Sequence, residues 1–136
     1  MEEVKITKLD KLFSEFIRKR AIADAGGCER CLTPKFDTAR DDGSLFPAWM
    51  LLQCAHMCGK DVKNIRWDPD NAFGLCGGCH LHIDSHKDDK TEFHERMVGK
   101  ERADLVKARS RVAGKYVDEN AIWLYLEGKL RELNDV

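Results

Sequence analysis

The sequence predicts a small α+β domain, with short strands near its centre and helices at both ends. Three patterns predict this class: a helical apolar repeat near the N-terminus, two brief apolar runs in the middle, and helix-forming residues in the last third. A chain of 136 residues fits one domain, and it contains no repeat or linker that would divide it. We therefore predict a single domain over 1–136, with an N-terminal helix in 1–27, a core in 28–90 and a helical extension in 91–136.

The composition is typical of a globular chain and favours no class of partner. Hydrophobic residues make up 43% of the chain and charged residues 35%, which is typical of a folded protein. The 23 basic and 24 acidic residues nearly cancel, so a nucleic-acid binder would have to concentrate its positive charge locally. No apolar run approaches the roughly 20 residues that cross a bilayer, and the N-terminus lacks the apolar core of a signal peptide. We expect a cytoplasmic protein with no membrane partner.

The N-terminal helix is predicted from apolar residues that recur three and four positions apart between 5 and 25. Gly26 and Gly27 end this pattern. The polar, turn-rich segment 33–47 is predicted to be a loop or an irregular hairpin. The apolar positions of the helix are Ile6, Leu9, Leu12, Phe13, Phe16 and Ile17.

Two short strands and three further helices are predicted after this segment. The apolar runs 49–56 and 71–75 have the length of buried strands, and a helix begins near Cys79. The segments 100–115 and 119–133 are predicted to be two more helices. An apolar stripe on the last helix can pack either on the N-terminal helix or on a partner chain. The stripe consists of Ile122, Leu126, Leu130 and Leu133.

Four of the six cysteines form two Cys-x-x-Cys pairs, Cys28 with Cys31 and Cys76 with Cys79. Each pair closes a tight turn whose thiolates can converge on one ion, and two such turns supply the four soft ligands of a tetrahedral zinc. In a chain without a secretory signal this spacing favours a metal over disulfides. The sequence therefore predicts one structural Zn²⁺. The alternatives are a redox dithiol and four unrelated core cysteines.

The other two cysteines, Cys54 and Cys58, flank His56. Cys54 lies in a predicted strand, where a free cysteine usually behaves as a small buried hydrophobe. The Cys-x-His-x-Cys pattern is also compatible with a small metal site, and His56 could instead be a satisfied core histidine.

The run NAFGLCGGCH, at 71–80, resembles the signature of HNH endonucleases of the ββα-metal class. The wider run LQCAHMCGKDVKNIRWDPDNAFGLCGGCH, at 52–80, resembles more narrowly the phage recombination nucleases of the NinG (Rap) type. The resemblance covers 28–86 well and 87–136 more loosely. It implies a zinc-stabilised ββα-metal core that hydrolyses DNA phosphodiester bonds, in the host cytoplasm if the chain is virus-encoded.

The resemblance also implies roles for three residues. His56 would be the general base, a role that suits a side chain titrating near neutral pH. Asn71 would hydrogen-bond the backbone across the loop between the strands and so hold His56 in its working orientation. His80 would bind a divalent ion, such as Mg²⁺ or Mn²⁺, at the scissile phosphate.

One position departs from the family pattern. Many HNH enzymes carry an acidic metal ligand directly before the first histidine, where this chain has Ala55. We take Asp84 as the candidate second ligand, because residues four apart share one face of a helix and His80 is four positions earlier. His82 and His86 form a competing pair on another face, which we interpret as a solvated polar surface.

Local positive charge is predicted in two places. Lys60, Lys63 and Arg66 lie between the two strands, close in sequence to His56, where a backbone phosphate would approach. A second basic stretch in the last third includes Arg109 and Arg111. This stretch either binds the DNA backbone or is a solvated helix with internal ion pairs.

The predicted partner is DNA, whether duplex, branched or single-stranded, and a homodimer would be the simplest way to cut both strands. Two other functions remain compatible with the sequence. One is a non-catalytic, zinc-stabilised nucleic-acid-binding module, which Ala55 favours. The other is a thiol redox protein that uses the two cysteine pairs.

Overall fold

The computed structural model describes residues 6–59, 61–112 and 117–134. These residues form six α-helices and two antiparallel sheets of two strands each, which confirms the predicted α+β class. None of the described helices is both long and apolar enough to cross a membrane. In chain order the elements are α1 (Lys8–Ala25), β1 (Thr38–Ala39), β2 (Leu45–Phe46), β3 (Gln53–His56), α2 (Lys63–Arg66), β4 (Ala72–Leu75), α3 (Gly77–Ser85), α4 (Lys87–Val98), α5 (Lys100–Ser110) and α6 (Glu119–Asn134).

Helix α1 begins and ends where its sequence predicts. The Thr7 side chain accepts a hydrogen bond from the Asp10 backbone at 3.2 Å, and the Asp10 carboxylate accepts one from the Thr7 backbone at 2.7 Å. This reciprocal pair satisfies two amide groups that the first turn leaves without helical partners. Gly26 ends the helix with φ of 71°, a left-handed conformation that suits glycine. The apolar face is buried at Leu9, Phe13, Phe16, Ile17 and Ala21.

Strands β3 and β4 pair antiparallel, with His56 opposite Ala72 and Gln53 opposite Leu75. All four residues of β4 are buried, because α1 packs across that strand. A Cβ atom at Gly74 would lie 2.6 Å from the Cβ of Ala21, so glycine at this position permits the close approach of the helix. Helix α3 follows β4 directly, so it starts beside Gln53, the first residue of β3, and His80 in its first turns contacts the Gln53 side chain.

The core has two parts on either side of the β3–β4 pair. One surrounds Phe73 and Leu75 and includes residues of α3 and α4. The other lies between α1, Trp67 and α6, where Leu126 and Leu130 are buried. The predicted C-terminal stripe therefore packs on the N-terminal helix, and this resolves the choice that the sequence left open.

Two predicted elements differ from the structure. The strand predicted over 49–56 is a 3₁₀ turn at Ala48–Leu51 followed by a shorter strand at Gln53–His56. Pro47 starts this turn with φ of −69°, and the Trp49 ring then lies 4.6 Å from the guanidinium of Arg18. Packing of the Trp49 ring against Arg18 outweighs the strand propensity of the apolar run.

The helix predicted from Cys79 starts slightly earlier and is broken in two at His86. The imidazole Nδ1 of His86 lies 2.8 Å from the His82 carbonyl, so the ring replaces the backbone amide as a partner of that oxygen. Helix α5 ends at Ser110, earlier than the predicted end at 115. Residues 113–116 lie outside the described part of the chain.

Candidate active site

The two cysteine pairs come together as the sequence predicts. The sulfur atoms of Cys28, Cys31, Cys76 and Cys79 all lie within 4.8 Å of one another, and those of Cys31 and Cys76 are 3.9 Å apart. A tetrahedral ion with metal–sulfur bonds of about 2.3 Å would place its sulfur ligands about 3.8 Å apart. None of the six cysteines forms a disulfide. The four thiols therefore form a group that could hold one metal ion such as zinc.

Local backbone geometry builds each half of this cluster. In the first pair, the Leu32 amide donates to the Cys28 carbonyl at 2.9 Å, and Leu32 adopts φ of 61°. A Cβ atom at Gly27 would lie 2.1 Å from the Thr33 carbonyl oxygen, so a side chain at this position would open the turn. In the second pair, Cys76 caps α3: its sulfur accepts a hydrogen bond from the Cys79 amide at 3.5 Å.

The thiols of the cluster differ in pKa because their surroundings differ. Hydrogen bonds with the side chain and then the backbone of Thr33 lower the pKa of Cys31 to about 6. Burial raises the pKa of Cys79 to about 12, although the Arg30 guanidinium donates to its sulfur at 3.4 Å. Thiolates crowded together repel one another, and a divalent cation removes that conflict. The donor set fits a metal better than it fits two separate redox pairs.

His56, His80 and Asp84 line one cleft of about 610 Å³. Cys54 and Cys58, both half-buried, also line it, and neither belongs to the metal-ligand cluster. Among the described residues, the cysteine cluster is the single group of three or more metal-ligating side chains with atoms this close.

The competing histidine pair lies elsewhere on the helix. The His82 and His86 rings stack with centroids 4.0 Å apart, and His82 Nε2 lies 2.7 Å from an Asp89 oxygen. Neither ring is among the described groups that line the cleft. Of the two pairs weighed in the sequence, it is His80 with Asp84 that shares the cleft with His56.

The His56 ring is oriented by a backbone carbonyl. Its Nε2 atom lies 2.9 Å from the carbonyl oxygen of Arg66, and its ring centroid lies 5.7 Å from that of Phe13. A carbonyl oxygen only accepts, so Nε2 carries the proton of this hydrogen bond. In the neutral imidazole the lone pair is then on Nδ1, which is the form that a general base requires.

Asn71 bridges the two ends of the loop that joins β3 and β4. It is fully buried, its Oδ1 accepts from the Cys58 amide at 2.7 Å, and its Nδ2 donates to the carbonyls of Cys58 at 3.2 Å and Ile65 at 3.0 Å. These bonds fix the loop backbone at Cys58 and at Ile65. Ile65 directly precedes Arg66, whose carbonyl binds His56. The amide thus makes the backbone contacts that the family resemblance implies.

His80 and Asp84 present two ligand atoms side by side. His80 Nδ1 donates to the Gln53 Oε1 atom at 2.7 Å, and its Nε2 lies 3.3 Å from Asp84 Oδ2. Two acceptors at this distance repel unless a proton or a metal ion lies between them. Lys90 contacts the other oxygen of Asp84 at 3.2 Å. An imidazole and a carboxylate oriented in this way are suitable ligands for a divalent ion.

Gln53 was missed by the sequence analysis. A metal-binding histidine generally needs a partner that fixes its tautomer. Which residue serves can be identified only from the way β3 packs beside α3. Ala55, in the position of the family's acidic ligand, is 0% exposed in the core beside Phe73. No ligand for the cleft comes from this position.

Of the basic residues predicted to bind DNA, those that the structure describes are not among the residues that line the cleft. The Arg66 side chain, whose direction the sequence does not fix, turns inward: the residue is 6% exposed, and its Nε donates to Asp10 Oδ1 at 2.8 Å. A guanidinium buried beside a carboxylate is not available to a phosphate. Lys60 lies outside the described residues.

The other predicted cations are on the surface. Lys63 lies 3.8 Å from the Glu119 carboxylate, and Arg109 donates to the Asn64 carbonyl at 2.6 Å and also pairs with Asp68. Arg111 is exposed, just after α5. None of the three is among the described residues that line the cleft.

Asp10 connects α1 to the loop that holds His56. Its carboxylate accepts from Arg66 and, at 2.9 Å, from the Trp67 indole, in addition to capping the helix at Thr7. Burial alone would raise the pKa of Asp10, but hydrogen bonds from Arg66, Thr7 and Trp67 outweigh it and lower the pKa to about 2. Because the folded state prefers the carboxylate, Asp10 stabilises the fold above its ordinary pKa, and this contribution is lost as the pH falls towards 2.

Replacing Asp10 with alanine is therefore expected to reduce the free energy of unfolding by about 3–5 kcal/mol at pH 7, since it leaves a buried guanidinium without its anion. Urea unfolding followed by circular dichroism measures this, and the gap between variant and wild type should narrow as the pH is lowered from 5 to 2. The exposed Asp24, on the same helix, supplies the control: Asp24→Ala should change stability by about 0.5 kcal/mol or less. Equal losses in the two variants would contradict a special role for Asp10.

In comparisons with known proteins, the chain matches no family model, no curated protein and no solved structure. The geometry of its own residues therefore carries the interpretation of this site.

Proposed function

We propose that this protein is a metal-dependent HNH-type endonuclease that hydrolyses DNA phosphodiester bonds, in DNA processing of the phage recombination type. The observation that supports the proposal is the cleft itself, where His56 at the end of β3 meets His80 and Asp84 on the helix that follows β4. Two antiparallel strands and a helix in this order are the elements of a ββα-metal core. A structural zinc ion on Cys28, Cys31, Cys76 and Cys79 would hold the start of that helix.

His56 is the general base in this mechanism. Its Nδ1 takes a proton from a water molecule, and the Arg66 carbonyl, bound to Nε2, keeps the ring in place and stabilises the imidazolium that forms. The water oxygen attacks phosphorus, and the bond from phosphorus to the 3′ oxygen breaks. Asn71 acts through the backbone that carries this carbonyl and does not itself touch the reacting atoms.

His80 and Asp84 are the residues that would hold the catalytic divalent ion, with Gln53 fixing the tautomer of His80. The ion, Mg²⁺ or Mn²⁺ or another, would supply charge neutralisation at the phosphate and at the departing oxygen. Asp84 would hold the ion in place of its contact with Lys90, since the two cations would compete for the same carboxylate.

A non-catalytic, zinc-stabilised nucleic-acid-binding module is the second candidate. The burial of Ala55 favours it, because this position supplies no ion ligand to the cleft, whereas many HNH enzymes carry an acidic ligand there. Retained DNA binding without hydrolysis in any divalent ion would select this function.

Nicking of supercoiled plasmid tests the proposal. We expect the wild-type protein to convert the plasmid to the open-circular form only when Mg²⁺ or Mn²⁺ is added. The His80→Ala variant should nick at least about 100-fold more slowly, because it removes one of the ion's two protein ligands.

His82→Ala is the matched control, since it removes a histidine from the same helix outside the cleft and should nick at the wild-type rate. Cleavage that is independent of added ions, or that both variants reduce equally, would argue against the proposed site.

A further inference from the structure

One wall of the cleft is formed by helix α1, which no motif in the sequence connects with the site. Lys11, Ser14 and Arg18 all line the cleft, and their spacing of three and four residues puts them on one face of that helix. Lys90 lines the cleft from α4. Three cations from two helices therefore line the same cleft as His56 and His80.

The two carboxylates that line the cleft, those of Asp10 and Asp84, already have hydrogen-bond or ion-pair partners. Asp10 is held by Arg66 and Trp67, and Asp84 is the proposed ligand of the divalent ion. A cation bound there would neutralise Asp84 and release Lys90. The charge that remains facing the cleft is then positive, which attracts a polyanion even though the whole chain carries a net charge of −1.

Arg18 is held in position by two contacts. Its Nε donates to the Ser14 carbonyl at 3.2 Å, and its guanidinium lies 4.6 Å from the centroid of the Trp49 ring. Stacking on an aromatic ring leaves the edge of the guanidinium available to donate, and its planar fork matches two phosphate oxygens. A half-buried, oriented arginine loses less conformational entropy on binding than a flexible surface lysine.

The position of Arg18 relative to His56 also suits a backbone contact. Arg18, Cys54 and His56 line the same cleft, and Cys54 lies two residues before His56 on one face of β3. Arg18 therefore faces the same cleft as the proposed general base. A strand whose scissile phosphate is at His56 would present another phosphate to this arginine.

We infer that Lys11, Arg18 and Lys90 form the phosphate-backbone binding site for a nucleic-acid strand entering the cleft between α1 and α3. This inference rests on the proposed function, because it places the substrate of the same site. It also replaces the expected DNA contacts of Arg66, which is buried, with contacts from a helix that the sequence resemblance does not include.

Fluorescence anisotropy with a labelled DNA oligonucleotide tests the inference. The measurement uses the full chain carrying His56→Gln, with Ca²⁺ in place of Mg²⁺ or Mn²⁺, so that Asp84 has a cation and the DNA stays intact. Each of Lys11→Gln, Arg18→Gln and Lys90→Gln should weaken binding about 5–10-fold at 0.1 M salt and reduce the slope of log K against log salt by about 1.

Lys87→Gln and Lys129→Gln are the controls, because Lys87 is exposed, Lys129 is half-buried, and both lie outside the cleft; they should leave affinity and slope unchanged. Lys11 is exposed, so its variant keeps the test valid even if Arg18→Gln lowers stability. Wild-type affinity in the Lys11 and Lys90 variants, or an equal loss in the Lys87 variant, would overturn the inference.

The two proposals fail in different ways. If the wild-type chain binds DNA through the cleft cations but nicks no plasmid, the binding site stands and the nuclease function fails. If the wild-type chain nicks plasmid while the cleft variants bind and cut normally, the nuclease function stands and this binding site is wrong.

Discussion

Plasmid nicking is expected to fall by about 10²–10⁴-fold when His56 is replaced with glutamine, which is the range that a positioned general base contributes. The glutamine amide can still donate to the Arg66 carbonyl, as Nε2 of the imidazole does at 2.9 Å. An amide has no basic lone pair, so it keeps the hydrogen bond and removes the proton acceptor. The initial rate of open-circle formation in Mn²⁺ measures the loss.

Folding must be shown to be unchanged for this result to count. His56→Gln should keep the wild-type thermal midpoint and bind DNA with wild-type affinity, so that only the chemical step is lost. His86→Gln makes the same change at an exposed histidine outside the cleft and should nick normally. A His56→Gln protein that cuts at more than about a tenth of the wild-type rate would exclude His56 as the base.

Removal of the structural metal is expected to unfold the domain. Structural zinc contributes about 10–16 kcal/mol of apparent binding free energy in zinc-finger peptides at neutral pH, whereas a whole domain is stable by about 5–15 kcal/mol. A contribution of this size leaves no stable fold without the ion. We expect a zinc chelator, or the substitution Cys28→Ser, to abolish the cooperative thermal transition followed by circular dichroism. Colorimetric titration of the native protein should release one zinc ion per chain.

Cys58→Ser supplies the control for this prediction, because Cys58 is half-buried like Cys76 but lies outside the cluster. It should keep one zinc ion per chain and the wild-type thermal midpoint. A metal-free chain that unfolds cooperatively at the wild-type temperature would show that the four cysteines do not carry the fold.

The features that sequence could predict are those encoded within a few neighbouring residues. Cys76 and Cys79 are three positions apart in one local motif, and the pairing of His80 with Asp84 follows from helical spacing alone. The end of α1 likewise follows from Gly26. In each case the physical cause lies within one turn of backbone, so the pattern is visible without knowledge of the fold.

The features that sequence missed depend on distant packing. From its local sequence Arg66 is predicted to be a surface cation in a polar loop, but its side chain points inward and pairs with Asp10, 56 positions earlier. Gln53 and Arg18 are unremarkable in their local sequences and reach the cleft only because β3 pairs with β4 and α1 crosses that pair. Likewise, the break at His86 depends on the direction taken by one imidazole ring, which helix propensity does not encode.

The direct succession of Cys79 and His80 limits how this chain can vary in length. Both residues lie on α3, so the metal-ligand cluster fixes where the helix starts, and the helix in turn fixes which way His80 points. Inserting a single residue between them would rotate His80 and Asp84 by about 100° around the helix axis. A substitution along this stretch changes one side chain, whereas an insertion or deletion would turn both proposed ion ligands, His80 and Asp84, out of the cleft together.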